Sequence, residues 1–183
     1  MALNNQPPEP VDGRFHTTMI REYLAQRKAR KVLDKYVNRD ALAAIPRDDG
    51  AKRPALTAAY IECVLVFVRG DTPEEISQRI GRVAEIARSQ GGMVHNMVCE
   101  LVVIAFGTHP NSSPAAGKRA ALVVQLGREL PGHLKIVYGA ADGHYGLIGS
   151  ESHMTYGFLL PHFNAMLARL SRLEFGQVEE FAE

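Results

Sequence analysis

Glu100 is the side chain whose neighbours best equip it for chemistry. It stands in Gly91-Gly92-Met93-Val94-His95-Asn96-Met97-Val98-Cys99-Glu100-Leu101-Val102-Val103-Ile104-Ala105-Phe106-Gly107. That stretch reads as two short strands folded back at Cys99-Glu100, with β-branched and aromatic residues on both sides and glycine at both ends. A carboxylate at such a tip projects from a rigid support where two strand ends meet. Residue types alone also allow a solvated acid on the turn of a core hairpin. Other candidate chemistry is thinner. Ser150, Ser152, His144 and His153 could be hydrolase parts, but there is no GxSxG nucleophile elbow. Gly117-Lys118-Arg119 lacks the earlier glycine and the following Ser or Thr of a phosphate loop, and reads as a helix start. The seven histidines are scattered and there is no CxxC, so no zinc site is expected. His95 and His144 read as partly buried strand histidines. Cys63 and Cys99 lie in apolar, strand-like segments and read as free buried thiols in a reducing compartment.

The 183 residues suit one domain plus an N-terminal extension. With 46% hydrophobic and 22% charged residues the chain can bury a sizeable core. A net charge of +1 argues against a nucleic-acid binder, which would show a basic excess or a basic face. No apolar run approaches the ~20 residues needed to cross a bilayer. The start, MALNNQPPEPVDG, lacks the basic and apolar regions of a secretory signal, so a cytoplasmic location is expected.

These considerations divide the chain into a disordered lead-in (1–14), a helical segment with linker (15–55), a globular domain (56–175) and a C-terminal tail (176–183). The helix of 15–37 carries a basic run at Arg27, Lys28, Arg30 and Lys31, which reads as a solvated face or as a helix that pairs with its own copy. A short helix, 41–45, ends at Pro46. Residues 58–68 then form a buried strand of nearly continuous apolar character. Thr72, Pro73 and Glu75 make a capping box for a helix reaching Ser89. After the hairpin come a loop (108–116) and a helix (117–130) with Ala121, Val124 and Leu130 inward. A strand (134–140) follows, then a turn at Asp142-Gly143, strands at 144–148 and 156–160, and a helix at 161–173. The order suggests an α+β fold: a ferredoxin-like antiparallel sheet with helices on one face, preceded by an N-terminal helix.

Four phrases, in order, resemble the class III adenylate and guanylate (nucleotidyl) cyclase homology domain. GGMVHNMVCELVVIAFG is similar to that family's GGTVDKFIGDAVMAVFG, and GHYGLIGSESHMTYGFLLPHFNAMLARL to its GEVVVGNIGSERRMDYTVIGDTVNLAARL. VLVFVRG resembles VLFADIRG, and LDKYVNRDALAAI resembles the helix FGRYVSPEVVEALL that precedes many such domains. The likeness spans roughly residues 30–172. It implies a head-to-tail dimer that cyclises a nucleoside triphosphate. Two Asp hold Mg²⁺ or Mn²⁺, a Lys and a polar partner read the base, and an Asn and an Arg serve ribose and phosphate.

Residue by residue, the resemblance implies a degenerate site. The first metal Asp falls on Phe67, with Asp71 nearby as a weak substitute, and the second falls on Glu100. The base-reading Lys falls on Asn96 and its polar partner on Gly157. The Asn is matched by Asn164. The Arg falls on Ala168, with Arg169 turned about 100° around the helix. The segment after Arg69-Gly70, which helps wrap the triphosphate in the family, is shortened. The expectation is a catalytically degenerate cyclase homology domain acting as a dimerising regulatory or signalling module, with a kept or altered nucleotide pocket. Its partner is a second copy or an intact cyclase chain. One alternative is a divergent active cyclase using Glu100, Asp71 or Glu62, Asn164 and Arg169, with Mg²⁺ or Mn²⁺ required only then. The other is a plain α+β interaction domain.

Overall fold

The computed structural model describes residues 56–108, 117–150 and 153–182. The expected lead-in, the 15–37 and 41–45 helices, the linker and most of the 108–116 loop lie outside the described residues. The elements are β1 (Thr57–Val68), α1 (Pro73–Ser89), β2 (Met93–Val98), β3 (Leu101–Phe106), α2 (Lys118–Glu129), β4 (Leu134–Ser150), β5 (His153–Leu159), α3 (Phe163–Arg172) and β6 (Val178–Phe181). They build a sheet in the order β2-β3-β1-β4-β5, with β6 added beside β4. The α+β, ferredoxin-like order read from the sequence is therefore present.

β1 is the central strand because its side chains are apolar on both faces. It pairs antiparallel with β3 along one edge and with β4 along the other, for example Phe67↔Leu101 and Phe67↔Lys135. Val64, Val66 and Val68 join Val102, Ile104 and Ile136 under α1 and α2, which contribute Val83, Ile86, Leu122 and Leu126. Ile61, Cys63 and Leu65 join Val103, Ala105 and Val137 under α3, which contributes Met166 and Leu170. Each fully buried Val, Leu or Ile adds about 1.5–3 kcal/mol. The helices thus take both faces of the sheet, not one as the element order suggests. A strand as apolar at 61, 63 and 65 as at 64, 66 and 68 needs cover on both sides.

Four further details depart from the sequence reading. Asp142-Gly143 is no turn: β4 runs straight through it, paired with Tyr60 and Ala59 of the long β1. Gly143 answers a close approach instead, since a Cβ there would lie 2.5 Å from the Leu159 carbonyl oxygen of β5. α2 turns Leu122, Val123 and Leu126 inward, while Val124 is 68% exposed. The larger apolar side chains at i, i+1 and i+4 set its phase. Cys63 is buried but Cys99 is exposed. The expected C-terminal tail carries β6, which pairs parallel with β4 (Ile136↔Val178). Among the described residues no helix is long and apolar enough to cross a membrane.

Candidate functional site

The hairpin closes at Cys99-Glu100 as the residue types demand, with Cys99 at φ 53°, in the left-handed region. Its tip is clipped to the end of β1, where the Val68 N–H donates to the Glu100 carbonyl at 2.9 Å; the Arg69 N–H instead donates to the His133 carbonyl, just before β4, at 2.8 Å. Glu100 is half-buried there. Phe67 lies on the α3 face, its ring 6.3 Å from that of Phe175. The Arg69 guanidinium (5.4 Å) and the Lys135 ammonium (4.8 Å) sit over the same Phe175 ring. This is a cation–π cluster. It occupies the position that the resemblance gives to a metal-binding carboxylate.

Asp71 lies beyond the strand end, exposed, with its N–H donating to Glu75 Oε2 at 3.2 Å. The neighbouring Thr72 caps α1 by accepting from the Glu75 N–H at 3.2 Å. Glu62 is on the opposite face of β1, where Arg119 pairs with it at 3.8 Å and with Glu180 at 3.0 Å. Burial raises the Glu62 carboxyl above its ordinary range, and Arg119 partly opposes that. Among the described residues, no group of three or more His, Cys, Asp or Glu stands together so as to hold a metal ion. With an aromatic ring at Phe67 and Asp71 exposed beyond the strand end, the residues present do not fit a pair of divalent ions.

The other half of the implied site lies across the sheet on the same face. β2 carries a bulge: its register passes from Val94↔Ile104 to Asn96↔Val103, leaving His95 as the extra residue. Asn96 is placed by that register, and its side chain is outside the described set. His95 turns into a cavity of about 640 Å³ bounded by β2, β3, β4, β5 and the start of α3. Its Nε2 lies 3.0 Å from Oγ1 of Thr108, which is 1% exposed. The Tyr156 hydroxyl donates to the Thr108 carbonyl at 2.7 Å. The His95 ring meets Phe158 edge-on at 4.8 Å and stacks near Tyr156 at 6.4 Å, and Phe158 meets Phe163 at 6.0 Å. Burial pushes the His95 imidazole down from 6.5 to about 4, so it is neutral at physiological pH.

Gly157, the position implied for base reading, lines this cavity. A Cβ there would meet only Ile148 Cδ1, at 3.4 Å. Asn164 is exposed on α3 beside the cavity residue Phe163. Ala168 is exposed one turn further along, and Arg169 pairs with Glu179 of β6 at 3.6 Å. Gly157 and His95 are therefore brought together, whereas Glu62 and Arg169 are engaged elsewhere. The sequence reading passed over Thr108, Phe158 and Phe175, and took Phe163, with Met166, Leu167 and Leu170, only as the inward face of the last helix. A histidine inside an apolar strand was the available signal for Thr108 and Phe158, and nothing local marked Phe175.

No family model and no curated protein matches this chain. Solved structures do. The guanylyl cyclase Cya2 is 21% identical with a TM-score of 0.55, covering 67% of this chain and 75% of its own. A bacterial light-regulated adenylyl cyclase is 12% identical with a TM-score of 0.71, covering 89% of this chain and 54% of its own. A dimeric guanylyl cyclase domain of the RhoGC fusion protein from the aquatic fungus Blastocladiella emersonii is 9% identical with a TM-score of 0.55, covering 68% and 80%. At these identities the likeness is one of fold.

Proposed function

From the premise that this chain has the fold of nucleotidyl cyclase catalytic domains, we propose that it is a catalytically degenerate cyclase homology domain acting as a dimerising regulatory module. One observation carries the reading. Phe67, where the resemblance calls for a metal-binding Asp, packs on Phe175 beneath Arg69 and Lys135. An aromatic ring donates no lone pair to Mg²⁺, and two cations oppose its approach. Ala168 offers no guanidinium to a developing phosphate charge, and Arg169 is held by Glu179. Missing both a metal ligand and its arginine, such a site forgoes several kcal/mol of transition-state stabilisation, on the order of 10³-fold or more in rate. A dimer of identical chains repairs neither loss, whereas pairing with an intact cyclase chain would.

The test incubates the purified full chain with ATP, GTP, CTP and UTP in turn, each with Mg²⁺ or Mn²⁺. The expected result is no cyclic nucleotide, together with a two-chain mass in sedimentation. Metal-dependent formation of any cyclic nucleotide overturns the reading in favour of a divergent active cyclase. A concentration-independent monomer overturns the dimer.

A further inference from the structure

We propose that β6 is a charge-latched strap over the edge of β4, fastened by Glu180 to Arg119 and by Glu179 to Arg169. The strand is four residues long, and among the described residues it pairs with β4 alone, from Ile136↔Val178 to Gly139↔Phe181. Apolar contact holds it weakly. Val178 is 46% exposed, and Phe181 is half-buried with its ring 5.9 Å from that of His162. A short strand with so little burial is the kind of element that opens locally while the rest of a domain stays folded. Gly139 admits it, since a Cβ there would lie 3.0 Å from the Phe181 carbonyl oxygen.

Successive residues of a strand point to opposite faces, so Glu179 and Glu180 reach the two helical layers separately. Glu180 stands opposite Tyr138. Arg119 of α2 lies over that ring at 5.0 Å, and its Nη2 donates to Glu180 Oε1 at 3.0 Å. Arg119 is 20% exposed and also faces Glu62 at 3.8 Å, which fixes the guanidinium in place. Glu179 stands opposite Val137 and meets Arg169 of α3, which is 55% exposed, at 3.6 Å. The half-buried, hydrogen-bonded pair is the stronger latch, because water and salt screen the exposed one. Opening the strap uncovers the stretch of β4 where the Ile136 N–H now donates to the Gln177 carbonyl at 3.1 Å. The charges of Glu179 and Glu180 thus decide whether β4 is covered there or presents unpaired backbone groups. The device goes beyond the regulatory reading and stands whether or not the chain makes a cyclic nucleotide.

Hydrogen exchange read by mass spectrometry on the full chain tests this, with peptides from β6 and, as the reference, from β1. In the native chain β6 should exchange faster than β1, and faster again at high salt (~1 M NaCl), where the Debye length shrinks to ~3 Å. Glu180→Lys should speed β6 about tenfold, the loss of a charged hydrogen bond, with β1 unchanged. Glu179→Lys should speed it about two- to fivefold, the range of an exposed pair. Combining Glu179→Lys with Arg169→Glu, which reverses that pair, should return β6 to the native rate. Exchange of β6 and β1 at one rate in the native chain overturns the proposal, as does a β6 rate unmoved by Glu180→Lys or not restored by the charge swap. If Glu180→Lys does not fold, the salt dependence of the native chain decides, and a β6 rate unchanged by high salt overturns it.

Discussion

Acidification from pH 7.5 to 4 should cost this protein stability through His95. The folded state holds the imidazole neutral, with its pKa pushed down from 6.5 to about 4 by burial. Below pH 6.5 the unfolded chain binds a proton that the folded chain refuses, so stability falls as pH falls, and the loss levels off below about 4. The separation between 6.5 and about 4 is worth about 3 kcal/mol when fully developed, and about 2 kcal/mol by pH 5. Urea denaturation at pH 7.5, 6, 5 and 4, run in parallel on the native chain and on His95→Gln, isolates the contribution. Gln keeps a polar group within reach of Thr108 but takes up no proton. The native chain should lose about 2 kcal/mol more than the variant between pH 7.5 and 5. An NMR titration placing His95 near 6.5, or parallel pH profiles for the two proteins, would refute the burial argument.

Phe67→Asp should lower stability by about 1–3 kcal/mol, since it removes a packed ring and places a carboxylate against Phe175. It should give no cyclic nucleotide, because Ala168 still lacks a guanidinium; product in a standard cyclase assay would show that the loss resides in Phe67 alone. Gly143→Ala should cost more than about 2 kcal/mol in urea denaturation, since its Cβ would stand 2.5 Å from the Leu159 carbonyl. Gly157→Ala, whose Cβ meets nothing closer than 3.4 Å, should change stability by less than about 1 kcal/mol. Of the two thiols, Cys99 should react rapidly with an aromatic disulfide reagent in the native protein. Cys63, buried and with its thiol pushed up to about 12, should react only on unfolding; two fast thiols would contradict the packing under α3.

Much of the candidate site was legible as position and little of it as environment. The phrases around Glu100, Gly157 and Asn164 assign those positions by resemblance, because short motifs survive as strings. Whether Phe67 is a surface substitution or a packed one depends on Phe175, which is over 100 positions away and in no motif. Arg169 looked like a displaced substitute for the missing arginine until β6 supplied Glu179. His95 looked like an ordinary strand histidine because a bulge is a mismatch between two strands, visible only in their pairing.

Taken by itself, the sequence determined what neighbours along the chain decide. Thr72, Pro73 and Glu75 start α1, the Gly-bounded apolar runs fold back at Cys99-Glu100, and the stripe of Phe163, Met166 and Leu170 gives α3 its buried face. These outcomes rest on backbone preferences and on hydrogen bonds spanning three or four residues. Tertiary structure decided the rest. Asp142-Gly143 became strand because β1 was long enough to pair with it and β5 close enough to exclude a side chain. The sheet took helices on both faces because burying both sides of β1 outweighed a one-sided arrangement. The aromatic cavity exists because β2, β4, β5 and α3 converge there, and that convergence depends on register and crossing contacts between residues far apart in the chain.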